Sequence, residues 1–115
     1  MSELRNLSNQ QVVAQKVLVA DSFLGRAVGL LGKKELPGDR TLWIHDCQSI
    51  HTFFMRFTID AVFVDKDLTI TKIVRNLKPW RMTLYDFKAA SVFEFSSAHK
   101  LTEGLKPGDR LHVGS

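Results

Sequence analysis

The densest group of chemistry-bearing side chains lies in one short segment, His45-Asp46-Cys47-Gln48-Ser49-Ile50-His51. His-x-Cys-x3-His offers three metal-ligand types. A structural zinc site takes four ligands, commonly from paired cysteines. Asp46, Asp60, His99 or His112 would have to add the fourth. The plainer reading is a small buried cysteine flanked by hydrogen-bonded histidines, so no metal and no cofactor is expected. Cys47 is also the possible nucleophile. A thiol enzyme needs a base within hydrogen-bond reach. His51, four residues on, could supply it if the chain turns at Gln48-Ser49. A free cysteine is more commonly a small core residue. No catalytic residue is therefore assigned, and a small hydrolase-like or thiol enzyme built on Cys47, His51 and Asp60 is kept as an alternative.

Charged residues inside apolar stretches say more. Arg56 stands between Met55 and Phe57, and its guanidinium must pair or reach out to water. Asp60 interrupts the apolar run Ile59-Asp60-Ala61-Val62. A carboxylate with such neighbours is expected to be mostly buried and paired, because an isolated buried charge is costly. Arg56, Arg26 or a local backbone amide is the expected partner. His51, Met55, Arg56, Asp60 and Arg81 together form the candidate ligand-binding set, a mouth with an aromatic floor suited to a polar or anionic ligand. In a strand, His51, Phe53 and Met55 would share one face, and Thr52, Phe54 and Arg56 the other. No glycine-rich phosphate loop, Gly-x-Ser-x-Gly elbow or His-Glu-x-x-His pair is present.

The elements that must position these residues are mostly strands. Residues Met1–Gln11 are polar and expected to be a flexible N-terminus. Val12–Ala20 reads as the first strand. Asp21 or Ser22 can cap a helix over about residues 22–31, because Phe23, Ala27, Leu30 and Leu31 recur on one helical face. Gly32 ends it. After the turn Leu36-Pro37-Gly38-Asp39, strands are expected over Thr41–Asp46, Ile59–Val64, Leu68–Leu77, Ala90–Phe95 and Arg110–Val113. Ile59–Val64 is nearly continuous in apolar residues, as a strand covered on both faces should be. It should form a hairpin with Leu68–Leu77 through Asp65-Lys66-Asp67, with Leu68, Ile70 and Val74 on one face. Many short strands and one helix predict a mainly β fold, a compact single-domain β-sandwich or small barrel over residues 12–115.

With 115 residues the chain fits one domain with a core of its own. Sixteen basic against twelve acidic residues give a net charge of +4 without a concentrated basic stripe. Weak nucleic-acid binding through this excess is kept as a further alternative, though nucleic acid is not the expected partner. One cysteine permits no intrachain disulfide. No signal-peptide pattern and no run of ~18–20 apolar residues is present. A cytoplasmic, monomeric protein without membrane contact is expected.

The segment Ser49–Asp65, SIHTFFMRFTIDAVFVD, resembles the core signature of the domain of unknown function 192 family. Arg26-Ala27-Val28-Gly29-Leu30-Leu31, Val92-Phe93-Glu94-Phe95 and Gly104–Leu111 resemble three further stretches of it, in the same order. Lys33-Lys34 and Ser97-Ala98 depart from the family's usual Arg and Gly. The resemblance implies a compact, mainly β domain with a short helix and no established activity. It marks Arg26, Gly29, Cys47, His51, Met55, Arg56, Asp60 and Glu94 as shared positions, with Arg26, Gly29 and Glu94 as structural motif residues. The function expected is a non-enzymatic binding module for a small polar or anionic ligand or a protein partner.

Overall fold

The computed structural model describes residues 2–20, 38–52 and 55–114. The chain is mainly β, arranged as two sheets. The strands are β1 (Glu3–Asn6), β2 (Gln11–Ala14), β3 (Lys16–Ala20), β4 (Arg40–His45), β5 (Ile59–Val64), β6 (Ile70–Leu77), β7 (Ser91–Ser96) and β8 (Leu111–Gly114). One sheet has the order β2-β1-β8, the other β3-β4-β7-β5-β6. Among the described residues, β3 and β4 pair in parallel and the other strand pairs are antiparallel. The expected helix over residues 22–31, with Arg26 and Gly29, lies outside the described residues, as do Phe53 and Phe54.

β5 and β7 are buried along their whole lengths. Each pairs on both edges, so their backbone groups are satisfied and their side chains meet a core on each face. Ile59, Ala61 and Phe63 project to one face, where they meet Leu42, Ile44, Val92, Ile50, Met55 and Phe57. Val62, Val64, Phe93 and Phe95 project to the other. There the small sheet covers them with Leu4, Ala14 and Leu111. Phe63, Phe93 and Phe95 are fully buried. Each side chain contributes on the order of 1.5–3 kcal/mol relative to exposure.

Three sequence expectations change. The N-terminus is not frayed, because β1 is the central strand of the small sheet. Leu4 is fully buried, and the buried Asn6 side chain donates to the Asp109 carboxylate at 3.1 Å. The polar residues that suggested fraying lie both in β1, where Glu3 and Arg5 alternate with buried Leu4 and Asn6, and in the turn that follows. Val12–Ala20 is not one strand. It breaks at Gln15, where the amides of Gln15 and Lys16 both donate to the Asp39 carbonyl, at 2.8 and 3.1 Å. The chain there leaves the small sheet and enters the large one, a change of partner that leaves the β-branched composition untouched. Leu68, Ile70 and Val74 do not share a face. Leu68 and Ile70 pack under the small sheet and Val74 on the opposite side. Register shifts in the β5–β6 pair break the alternation.

The glycine-free turn between β5 and β6 closes through Asp65. Its Oδ1 accepts the amides of Asp67 and Thr69 at 2.9 and 3.0 Å, while Leu68 takes the left-handed conformation at φ 63°.

Candidate functional site

Asp60 and Cys47 are built into opposite faces of the large sheet. Cys47 packs against the cluster containing Ile59, Ala61 and Phe63. Asp60, one residue after Ile59, points to the other side and is 4% exposed. Its burial agrees with the sequence expectation, and one of its donors is a backbone amide as expected, though it comes from β6 and the other two donors are hydroxyls. Oδ1 accepts the Asn76 amide at 2.9 Å and the Ser97 hydroxyl at 2.6 Å. Oδ2 accepts the Thr102 hydroxyl at 2.7 Å. The Asn76 amide is available because β6 bulges there, with Asn76 at φ 58°. Arg75, one residue earlier, donates to the Thr102 hydroxyl and to the carbonyls of Thr102 and Leu105. The group joins β5, β6 and the 97–105 segment, and its carboxylate oxygens are directed at these donors.

The remaining predicted residues separate. Met55 is buried in the core. Arg56 is exposed. His51 is half-buried and forms an isolated antiparallel bridge with Met82. Arg81 is exposed beside it, and its amide donates to the Thr52 hydroxyl at 2.9 Å. Of the five candidate ligand-binding residues, His51 and Arg81 lie on paired segments, and the Met55 amide donates to the Thr52 carbonyl while its side chain enters the core. Cys47 donates its thiol hydrogen to the Ser49 carbonyl at 3.0 Å. Glu94 is fully buried at the centre of the large sheet, paired across it with Leu42 and Ala61.

What joins His51 to Arg81 is a pair of antiparallel segments, 47–52 and 80–90. The Cys47 amide donates to Ala90, the Asp86 amide to Gln48, the Thr83 amide to Ile50 and the Trp80 amide to Thr52. The Ile50 amide donates to the buried Thr83 hydroxyl at 3.0 Å. The Thr52 hydroxyl donates to the Lys78 carbonyl at 2.6 Å. Two further bonds tie the loop to β6: the Thr71 hydroxyl to the Asp86 carboxylate at 2.7 Å, and the Lys72 ammonium to the Leu84 carbonyl at 3.3 Å. The backbone of this loop is therefore held along its length.

Its side chains are presented outward. Trp80 is 56% exposed, Met82 68%, Leu84 84%, Tyr85 55% and Phe87 90%. Five large apolar residues on one eight-residue stretch form a surface of the kind that marks a contact site rather than scattered exposure. Sequence reasoning missed them. The available signal was the stretch after Pro79, in which Trp80, Met82 and Leu84 alternate with Arg81 and Thr83 and which Lys78 and Lys88 flank.

An open depression of about 420 Å³ beside the loop is lined by Thr71, Lys72, Leu84, Tyr85, Asp86, Phe87 and Lys88. Two smaller ones flank His45. The first, about 240 Å³, involves Trp43, Asp46, Asp65, Lys66 and Ser91; the second, about 220 Å³, involves Cys47, Gln48 and Ser49. Of these three the loop depression is the largest, and all three are open to solvent. Among the described residues no group of three or more His, Cys, Asp or Glu side chains is placed to hold a metal ion.

Two solved structures share this fold. One is a protein of unknown function from Novosphingobium aromaticivorans, at TM-score 0.76 and 21% identity, covering 96% of this chain and 82% of that one. The other is described as a candidate transcription regulator from Sinorhizobium meliloti, at TM-score 0.75 and 21% identity, covering 97% and 91%. At that identity the likeness concerns the fold alone. Among sequences, the UPF0127 protein PH1112 of Pyrococcus horikoshii is 35% identical over 118 residues, spanning 96% of this chain and 95% of its own. The UPF0127 protein PYRAB11210 of Pyrococcus abyssi is 30% identical over 101 residues, with 84% of each chain covered. Residues 4–113 match the family model DUF192, described as an uncharacterized ACR, and the chain belongs to that family.

Proposed function

We propose that the protein is a non-enzymatic binding module whose contact face is the Trp80–Lys88 loop with His51 beside it. Its partner combines an apolar contact with acidic groups. The observation that carries this reading is the contrast within the loop. Its backbone is fixed by hydrogen bonds to 47–52 and by the Lys72 ammonium on β6, while Met82, Leu84 and Phe87 stand more than two thirds exposed. A surface ordered before contact loses little conformational entropy when it binds. The alternative thiol enzyme is weakened by geometry, since Asp60 faces away from Cys47 and its oxygens are engaged by Asn76, Ser97 and Thr102.

Site-specific photo-crosslinking in cells tests this reading whatever the partner's class. Phe87→p-benzoylphenylalanine should give a defined adduct, to protein or to lipid. The same photoreactive residue at the exposed position Glu103 should not. Equal labelling at both positions, or none at Phe87, would overturn the assignment of this face.

A further inference from the structure

Resting on that reading, we propose that the partner is an anionic lipid surface, and that the Trp80–Phe87 loop lies in its headgroup layer. The chemistry of the loop selects this occupant. From Lys72 to Lys88 the chain carries Lys72, Arg75, Lys78, Arg81 and Lys88 against a single acid, Asp86. Arg75 is turned away toward Thr102 and Leu105. Asp86 is occupied on both oxygens, by the Thr71 hydroxyl and the Lys88 amide. What faces outward is an apolar cluster with cations around it. Cations near an anionic bilayer are attracted individually, and the apolar side chains between them can enter the headgroup boundary. Trp80 and Tyr85 each present an apolar ring with a polar tip, the combination favoured at that depth.

Other occupants fit less well. A single-stranded nucleic acid would use open ring faces for stacking. Here the Tyr85 and Phe87 ring centroids lie 4.7 Å apart at a 59° tilt, so the rings do not form parallel platforms for successive bases. The most exposed residues besides Phe87 are Leu84 and Met82, which offer no ring at all. The depression between Lys72 and Lys88 places two ammonium-bearing side chains beside apolar ones, which suits a phosphate-bearing headgroup above an acyl chain. The expectation of no membrane contact came from the lack of a spanning stretch. Among the described residues no helix is long and apolar enough to cross a membrane. A loop lying on the surface needs none.

The test is flotation of the purified chain with two kinds of vesicle: phosphatidylcholine alone, and an equal mixture of phosphatidylcholine and phosphatidylglycerol. The expected result is at least roughly ten-fold stronger partitioning onto the mixed vesicles at low salt, falling as salt rises. The double variant Leu84→Ser/Phe87→Ser should lose at least about ten-fold of that partitioning, with its melting temperature unchanged because both side chains are exposed. Replacing Lys78, Arg81 and Lys88 by Gln should abolish the preference between the two vesicles. No partitioning of folded protein onto mixed vesicles overturns the lipid assignment. So does binding that survives Leu84→Ser/Phe87→Ser. Loop-dependent binding of a single-stranded oligonucleotide, or loop-dependent self-association, in place of vesicle binding would also overturn it. If vesicles fail while Phe87 still crosslinks to a protein, the lipid is wrong and the contact face stands. If neither occurs, both fall.

Discussion

Replacing Asp60 by Asn tests the hydrogen-bonded group that joins β5, β6 and the 97–105 segment. Oδ1 receives two donors, one of them a backbone amide that cannot reverse its role; Oδ2 receives only the Thr102 hydroxyl. The amide will therefore place its NH2 at the Oδ2 position. Thr102 would have to turn and accept, although its oxygen already accepts from Arg75 Nε at 3.3 Å. Its own hydrogen would then have no acceptor within this group, and Thr102 is 1% exposed. A stranded buried donor costs about 1–3 kcal/mol. The two bonds kept at Oδ1 become neutral ones and weaken by a further ~1 kcal/mol together. The total is about 2–4 kcal/mol, or roughly 10 °C in melting temperature for a domain of this size. Asp60→Ala should be costlier, about 3–5 kcal/mol, with Ser97 and Asn76 partly rescued by water.

Thermal melts and urea titrations of Asp60→Asn, Thr102→Val and the double variant give the assay. Thr102→Val alone should cost about 1–2 kcal/mol, and the two changes should be non-additive by at least about 1 kcal/mol. A melting temperature for Asp60→Asn within about 2 °C of the parent, or a strictly additive cycle, would refute the account of this group.

Two further outcomes follow from the fold. Asn6→Ala should destabilise the domain by about 1–3 kcal/mol. It removes the donor to Asp109 and the acceptor for the Ser8 amide, both anchoring β1 to its surroundings. Arg5→Ala, which breaks the contact with Glu3 and an exposed bond to the Gln10 carbonyl, should cost under about 1 kcal/mol. Equal melts for the two variants would show that the N-terminal strand is not fixed by Asn6. Cys47, half-buried and donating to Ser49, should react with iodoacetamide at least about ten-fold more slowly in the native protein than in urea. Native alkylation at the unfolded rate would place the thiol in solvent.

The strands were legible in the sequence wherever burial was uniform. β5 was read to the residue, because a strand covered on both faces carries its apolar run without reference to its neighbours. The break at Gln15 was not legible, since β-branched residues mark extended chain but carry no record of which sheet pairs with it. Asp60 shows the same division. Its apolar neighbours announced that it is buried, and nothing local announced that its donors come from the β6 bulge and from Ser97 and Thr102, 37 and 42 residues on. The loop after Pro79 is the sharpest case. In sequence, Trp80, Met82, Leu84, Tyr85 and Phe87 look like core material, and hydrophobic residues are ordinarily inside. Their exposure follows from where the loop's backbone bonds go. Those bonds run inward, to Gln48, Ile50 and Thr52 and to the Lys72 side chain on β6, so the side chains between them are left to face outward. A chain that fixes an apolar loop by its backbone, and leaves the side chains uncovered, keeps their burial free energy available for contact with another surface.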